Sequence, residues 1–417
     1  MADISPTLAE LQERLSGWKA SLILTPTKTP KALLANAVIA LRGAQEWQGV
    51  LAYDEFKLAT IMVKPPPWRK GEDNSWTPQP WTDHEDALTT DWLQHNDICV
   101  PITVAAAAAM TVAKDNSFHP VRDYLAKLQW DGVERVKHFA SKYLGAEDTP
   151  YHRLVSKCTL IGAVARIMEP GCKADHVMIL EGRQGIGKST SLTHLFEPWF
   201  SDEIADLGSK DAAMQLSGVW CIELAELSSM TRSEIERVKA FISRRADRFR
   251  PSYGRNVIEV PRQAVFVGIT NSDSYLRDET GGRRFLPVRC ESIKPALIRR
   301  DRDQLWSEAV TLHKAGTSWW LSDKAAVDLA REQQNDRYLD DPWQGPIARY
   351  VESKESVSID EIFLNVLDII DKSRWGRSEQ MRIAQCLKAM GWERYRGPRP
   401  AQQWRYRRAP NQVGSSV

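Results

Sequence analysis

The run Gly182-Arg183-Gln184-Gly185-Ile186-Gly187-Lys188-Ser189 has the spacing G-x-x-x-x-G-K-[ST]. Residues of these types in this order do one kind of chemistry: they hold a polyphosphate. Glycines let backbone N–H groups turn inward around phosphate oxygens, and the helix that opens behind them adds the positive end of its dipole. A lysine at this spacing reaches the outer phosphates, and a serine hydroxyl after it ligates magnesium. The context fits. Val177–Leu180 is a short apolar run bounded by turn residues, which predicts a buried strand, and Ser189–Phe196 reads as a helix closed by Pro198. ATP and Mg²⁺ are the expected ligands. Gly182, Gln184, Gly185, Ile186, Gly187, Lys188, Ser189 and Thr190 would hold the nucleotide, with Ser189 also on the metal.

Such a loop needs an acid for the metal and a group for the attacking water. In the segment VWCIELAEL a strand ends in Glu223, with Glu226 three residues on. We assign Glu223 to the metal and Glu226 to the water; the alternative for Glu226 is a carboxylate that only caps a helix. The strand AVFVGIT ends in Asn271. An amide at the carboxyl end of a parallel strand lies where such sheets bind ligands, so it would orient the water, unless it only forms the Asn-Ser-Asp turn. TGGRRF places Arg283 and Arg284 on a glycine-opened loop, and an arginine there neutralises charge developing on a γ-phosphate, in its own or a neighbouring subunit.

These groups must be positioned by strand–loop–helix units. Val219–Ile222, Ala264–Ile269 and Phe285–Val288 are further apolar runs, and fully apolar strands predict a parallel sheet covered on both faces. Ahead of them, Tyr151–Met168 reads as a helix ended by Pro170-Gly171. Near the start, Leu33, Leu34, Ala37, Val38 and Leu41 have helical spacing, a strand pair follows, and Lys64–Trp81 is a proline- and tryptophan-rich loop. Thr82–Asn96 predicts a helix with an acidic first turn; consecutive Asp83-His84-Glu85-Asp86 cannot converge on one ion. At the end of the chain, Ile347–Val351, Ile359–Leu367 and Met381–Met390 predict short helices, with Ser378 as an N-cap and Gly391 after the last turn. Trp392–Arg396 and Gln403–Arg407 then alternate basic and aromatic residues as a hairpin, which suggests a winged-helix module.

With 417 residues the chain has room for two to four domains, and a formal charge of +2 says nothing about partners. The distribution of charge does. Lys372–Arg408 holds eleven Lys/Arg against two acids, and Arg237–Arg262 holds eight against two. Each island is either a solvated face or a local site for a polyanion. The second island contains Lys239, Arg244, Arg245, Arg248, Arg250, Tyr253 and Arg255, basic residues beside aromatics that suit a DNA backbone and exposed bases; the alternative is a rigid inter-subunit loop. In the C-terminal hairpin the DNA candidates are Arg405 and Arg407. The six cysteines are scattered with no CxxC pair, which predicts reduced, mostly buried thiols rather than zinc ligands. The chain shows no cationic and apolar leader and no apolar run of spanning length, so the expectation is a cytoplasmic protein that meets no membrane.

In order, the stretches HPVRDYLAKLQWDGVERV, EPGCKADHVMILEGRQGIGKST, IELAEL, KAFISRRADRFRPSYGR, FVGITN and RDETGGRRFLPV resemble the virulence-associated E family of phage and prophage proteins, densely over residues 119–290. That family looks related to superfamily 3 helicases and phage primase–helicases. The resemblance implies an AAA+-like P-loop NTPase core over 119–325; with the readings above, the expected fold is α/β, with an N-terminal α/β region over 1–118, mainly helical, that is a collar or a DNA-binding part, and a basic winged-helix-like module over 340–417. It implies an ATPase and DNA helicase, a hexameric ring on single-stranded DNA or an origin duplex, and compatibility with a separate primase. Lys188 and Ser189 fall on the nucleotide residues, Glu223 and Glu226 on the acidic motif, Asn271 on the sensor and Arg283 or Arg284 on the arginine finger. Lys239 and Arg250–Arg255 fall on the DNA-contacting hairpin. The acids are split as Glu-Leu-Ala-Glu rather than adjacent, which leaves their division of labour open. The alternative function is an ATP-regulated DNA-binding initiator that does not unwind; a small-molecule kinase leaves both basic islands and Asn271 without a role.

Overall fold

The computed structural model describes residues 17–69, 76–203, 210–225, 230–251, 256–272, 275, 284–337, 342–397 and 404–408. The chain forms two compact units, Met1–Asp273 with Thr280–Asn335, and Ser274–Glu279 with Asp336–Val417.

The first unit opens with helix α1 (Leu34–Gly43), strands β1 (Leu51–Asp54), β2 (Ala59–Met62) and β3 (Gln79–Pro80), helices α2 (Asp83–His95) and α3 (Ile102–Asp115), and strand β4 (Ser117–Phe118). The strands form one sheet in the order β3-β2-β1-β4. The region is an α/β unit in which helices predominate, and the expected strand pair β1–β2 is widened to four strands by β3 and β4. β4 is only two residues long and carries no periodic signal, and it pairs with β1 across 64 residues of chain. The alanines of α3 have a packing role: Ala105, Ala108 and Ala109 are fully buried with Ala37 and Ala40 of α1, so two small-residue faces let the helices approach. The acidic start of α2 is a capping box between Thr82 and Glu85. Residues before 119 belong to the same compact unit as the sheet that follows.

Next come helices α4 (Pro120–Lys127) and α5 (Pro150–Met168), strand β5 (Val177–Glu181), helix α6 (Lys188–Phe196), strand β6 (Phe200–Ser201), helix α7 (Lys210–Gln215), strand β7 (Cys221–Leu224) and helix α8 (Arg232–Ile242). An antiparallel hairpin, β8 (Ala246–Phe249) and β9 (Ile258–Pro261), precedes β10 (Val265–Thr270), β11 (Phe285–Arg289) and helices α9 (Pro295–Lys314) and α10 (Lys324–Asn335). The sheet order is β11-β5-β10-β7-β6, with every neighbouring pair parallel. All residues of β5 and β7 are buried, as continuous apolar runs in a sheet covered on both faces require. The core beside it is anchored by Trp220 and Trp306, whose rings lie 4.3 Å apart. Their indole N–H groups donate to Ala163 O and Leu195 O, both at 2.9 Å, so neither ring buries an unpaired donor. Because the strands are parallel, the segments leaving β5, β7 and β10 emerge at one edge of the sheet.

The second unit contains α11 (Gln344–Val351), β12 (Ser356–Val357), α12 (Ile359–Asn365), α13 (Arg377–Ala389), β13 (Trp392–Arg396) and β14 (Trp404–Arg408). Its strands are antiparallel in the order β12-β14-β13. Ile347, Val357, Phe363, Ile383, Leu387, Trp392 and Tyr406 make a core of its own. α13 begins after Gly376, earlier than the N-cap expected at Ser378, and ends before Gly391, whose φ of +79° carries the chain into the hairpin. Among the described residues no helix is long and apolar enough to cross a membrane.

Candidate functional site

The glycine-rich segment turns sharply where β5 ends. Gly182, Gly185 and Gly187 have φ of +150°, +81° and +96°. At Gly182 a Cβ would stand 2.6 Å from Cys290 O, so the position needs glycine for space as well as conformation. At Gly185 a Cβ would meet nothing within 4 Å: the loop there borders open volume, and only the backbone angle demands glycine. Gly187 is the N-cap of α6 in a left-handed conformation, so α6 starts at Lys188 with its N-terminus aimed into the turn.

Lys188 is buried, and its ammonium donates to Gly182 O at 2.6 Å, Arg183 O at 2.9 Å and Asn271 Oδ1 at 2.8 Å. Its three donors are thereby all used. The bond to Asn271 spans 83 residues of sequence. Sheet register makes it: β10 lies beside β5 with Thr270 opposite Glu181, so the next residue, Asn271, comes level with Gly182. On the other side of β10, Val267 stands opposite Glu223 of β7. That register lets Ser189 Oγ donate to Glu223 Oε1 at 3.1 Å. Lys188, Ser189, Glu223 and Asn271 are thus drawn together by three adjacent strands and one helix. A cavity of about 670 Å³ opens at this edge, lined by Gln184, Gly185, Gly187, Lys188, Ser189, Thr190, Ala225, Ile269, Thr270 and Asn271.

Electrostatics follow from burial. Desolvation lowers the pKa of Lys188, and it raises that of Glu223, with Asp202 adding in the same direction and the Ser189 hydroxyl opposing it. Glu223 Oε2 is buried and has no hydrogen-bond partner among the described residues. An anionic oxygen left unpaired beside a serine hydroxyl is a donor set of hard oxygens, and it fits a hydrated divalent cation. The glycine cradle and the end of α6 fit phosphate oxygens on the same cavity.

The remaining candidates are dispersed. Glu226, Arg283, Tyr253 and Arg255 lie outside the described residues. Arg284 immediately precedes β11 and donates to Asp175 Oδ2 at 3.3 Å. Since Phe285 pairs with Val177, Arg284 stands at the amino ends of the strands. β5 separates it from the glycine loop by five residues, about 16 Å of extended chain. In the basic island, Lys239 is buried and its ammonium pairs with Glu236 at 3.0 Å, so it does not face outward as a DNA contact requires. Arg244 lies over the Phe241 ring, Arg245 donates to Gly171 O at 2.8 Å, exposed Arg248 lies 3.6 Å from Glu259, and Arg250 is exposed. Arg405 pairs with Glu361 at 3.0 Å and Arg407 with Glu393 at 2.8 Å. Sequence reasoning missed Arg262, which is buried and joined to Asp247 through both carboxylate oxygens, locking the base of the β8–β9 hairpin. No local pattern distinguishes it from the exposed arginines around it; only cross-strand pairing does.

A model of the virulence-associated protein E-like domain matches residues 125–338, just over half of the 417 residues. The chain belongs to this family. The VapE-like region includes the glycine loop, Glu223, Asn271, Arg284 and the β8–β9 hairpin. An apo structure of the NrS-1 C-terminal region is similar at 14% identity and a TM-score of 0.41, over 81% of this chain and 82% of that one. A second apo structure of that region, its A form, is similar at 11% identity and a TM-score of 0.43, over 86% and 96%. Likeness at this level carries no argument about function. No curated protein matches the chain.

Proposed function

We propose that this VapE-like protein is an ATP-dependent DNA helicase or translocase of superfamily 3 type, a P-loop ATPase that works as a hexameric ring in the replication of a phage or mobile element. The observation that carries this reading is the convergence of Lys188, Ser189, Glu223 and Asn271 at the carboxyl edge of a parallel sheet, around one cavity. Bound Mg²⁺ would supply charge neutralisation on the phosphate oxygens, held by Ser189 and by Glu223 through water. Lys188 turns its N–H groups from the loop carbonyls and Asn271 toward the outer phosphates. Asn271 Oδ1, released from Lys188, is then free to orient the attacking water, so phosphate occupancy and water positioning are coupled through one hydrogen bond. Glu226 would accept the water's proton. Arg284, a strand's length from its own glycine loop, serves as the finger for a neighbouring subunit rather than for its own. The β8–β9 hairpin, with Arg248 and Arg250, would face DNA in the ring.

The test is ATP hydrolysis by the wild type and Lys188→Ala, each with and without single-stranded DNA. Hydrolysis stimulated by DNA and lost in the variant supports the motor; hydrolysis indifferent to DNA overturns it. The separate compact C-terminal unit favours a second reading, an ATP-regulated initiator that binds DNA without unwinding it. Unwinding of a forked duplex separates the two.

A further inference from the structure

The C-terminal hairpin has two faces, and the pairing register says which residues share each. Glu393 stands opposite Arg407 and Tyr395 opposite Arg405 on one face; Arg394 stands opposite Tyr406 and Arg396 opposite Trp404 on the other. The first face is internally satisfied. Arg407 is bonded to Glu393 and lies over Tyr395, and Arg405 is held by Glu361 and by Ser356 Oγ at 3.1 Å. The guanidiniums expected to contact DNA are therefore already paired with acids.

The second face differs. Its base is covered: Trp392 and Tyr406 pack with Ile383 and Leu387 of α13. Beyond that cover the same face runs on with Arg394 and Arg396 exposed, and neither has a carboxylate partner among the described residues. Trp404, 44% exposed, lies between them, with the Arg394 guanidinium 3.9 Å and the Arg396 guanidinium 5.0 Å from its ring. A guanidinium over an indole face keeps its N–H groups available to an anion. Two residues apart on one strand, the arginines are spaced about 6.7 Å along it. With its ring taken up by the arginines, Trp404 serves as their support rather than as a platform for a base.

We propose that Arg394, Arg396 and Trp404 form a phosphate clamp that grips the DNA backbone on the helix-facing side of the hairpin, and that Arg405 and Arg407 hold the fold. The ligand is a phosphodiester chain read without regard to base. The inference rests on the reading of this protein as DNA-binding, and the experiment separates the two. Binding of a fluorescein-labelled duplex and of a single strand of equal length is followed by anisotropy across a salt series, with the full chain, Arg394→Gln/Arg396→Gln, Trp404→Leu and Arg407→Gln, each checked for folding by circular dichroism. Losing two phosphate contacts should flatten the slope of log K against log[salt] by about 1.8 on duplex or about 1.4 on a single strand; the substrate that shows the change is the one the clamp holds. Trp404→Leu keeps both charges and should weaken binding ~2–5-fold, the value of the lost stacking. Arg407→Gln should leave the slope in place. If the double variant keeps the wild-type slope on both substrates, or Arg407→Gln flattens it instead, the clamp is misplaced while the DNA reading survives. If the wild type binds neither substrate, both fall.

Discussion

Glu223→Gln should make the protein more stable and useless as a metal site. The wild-type carboxylate is buried, with Oε1 accepting from Ser189 and Oε2 unpaired among the described residues. Burial raises its pKa, which means that the fold disfavours the charge. Glutamine keeps an acceptor for Ser189 and removes that charge. An unsatisfied buried polar group costs about 1–3 kcal/mol; the amide still leaves an N–H group unpaired, so we expect the low end of that range, ~1 kcal/mol of relief. In a unit of this size that is a rise in Tm of about 2 °C without nucleotide. With Mg²⁺ and a non-hydrolysable ATP analogue at about a hundred times Kd, the wild type gains ~2.7 kcal/mol, and the variant should lose most of that gain along with turnover. The pH dependence has a defined sign. A raised carboxylate pKa adds stability that is fully present below the unfolded value and is lost as pH rises through the folded one. Metal binding needs the ionised form, so Mg²⁺ affinity should fall as pH drops through the same raised value; the glutamine variant should show neither dependence. Thermal melts with and without Mg²⁺ and analogue, across pH, read all of this. A lower Tm for the variant without ligand, with full protection by Mg²⁺ and analogue, would refute the assignment of Glu223.

Two further outcomes are expected. Arg284→Ala should cut hydrolysis at least tenfold while sparing nucleotide binding, and mixing it with Lys188→Ala protein should restore part of the activity, because a Lys188→Ala subunit still offers its arginine to the intact glycine loop of an Arg284→Ala neighbour; no restoration at any ratio in a phosphate-release assay would refute a finger acting in trans, and unchanged hydrolysis by Arg284→Ala would remove it from catalysis. Gly182→Ala puts a Cβ 2.6 Å from Cys290 O, so it should lower stability by about 1–3 kcal/mol and weaken nucleotide binding, while Gly185→Ala, whose Cβ meets no atom within 4 Å, should cost only its backbone strain; equal melting temperatures for the two would count against the packing argument.

What was legible in the sequence was local. The glycine spacing, the apolar strand before it and the helix after it are neighbours in the chain, so their pattern specifies their geometry directly. The same holds for the helix with an acidic first turn after Thr82 and for the α13–hairpin order of the C-terminal unit. Tertiary structure decided which residues meet. The Lys188–Asn271 bond follows from β10 inserting between β5 and β7, and no periodicity carries strand order. In the N-terminal region the strand pair β1–β2 was legible, but β3 and β4, two residues each, exist through pairing alone. Charge was the least legible property. Arg262 and Lys239 are buried in ion pairs, Arg405 and Arg407 are bonded to glutamates, and Arg394 and Arg396 have no carboxylate partner among the described residues, yet all six are equally basic in the sequence. A side chain's charge is set by its type; its availability is set by the partner across the strand or helix, and that partner is chosen only when the chain folds.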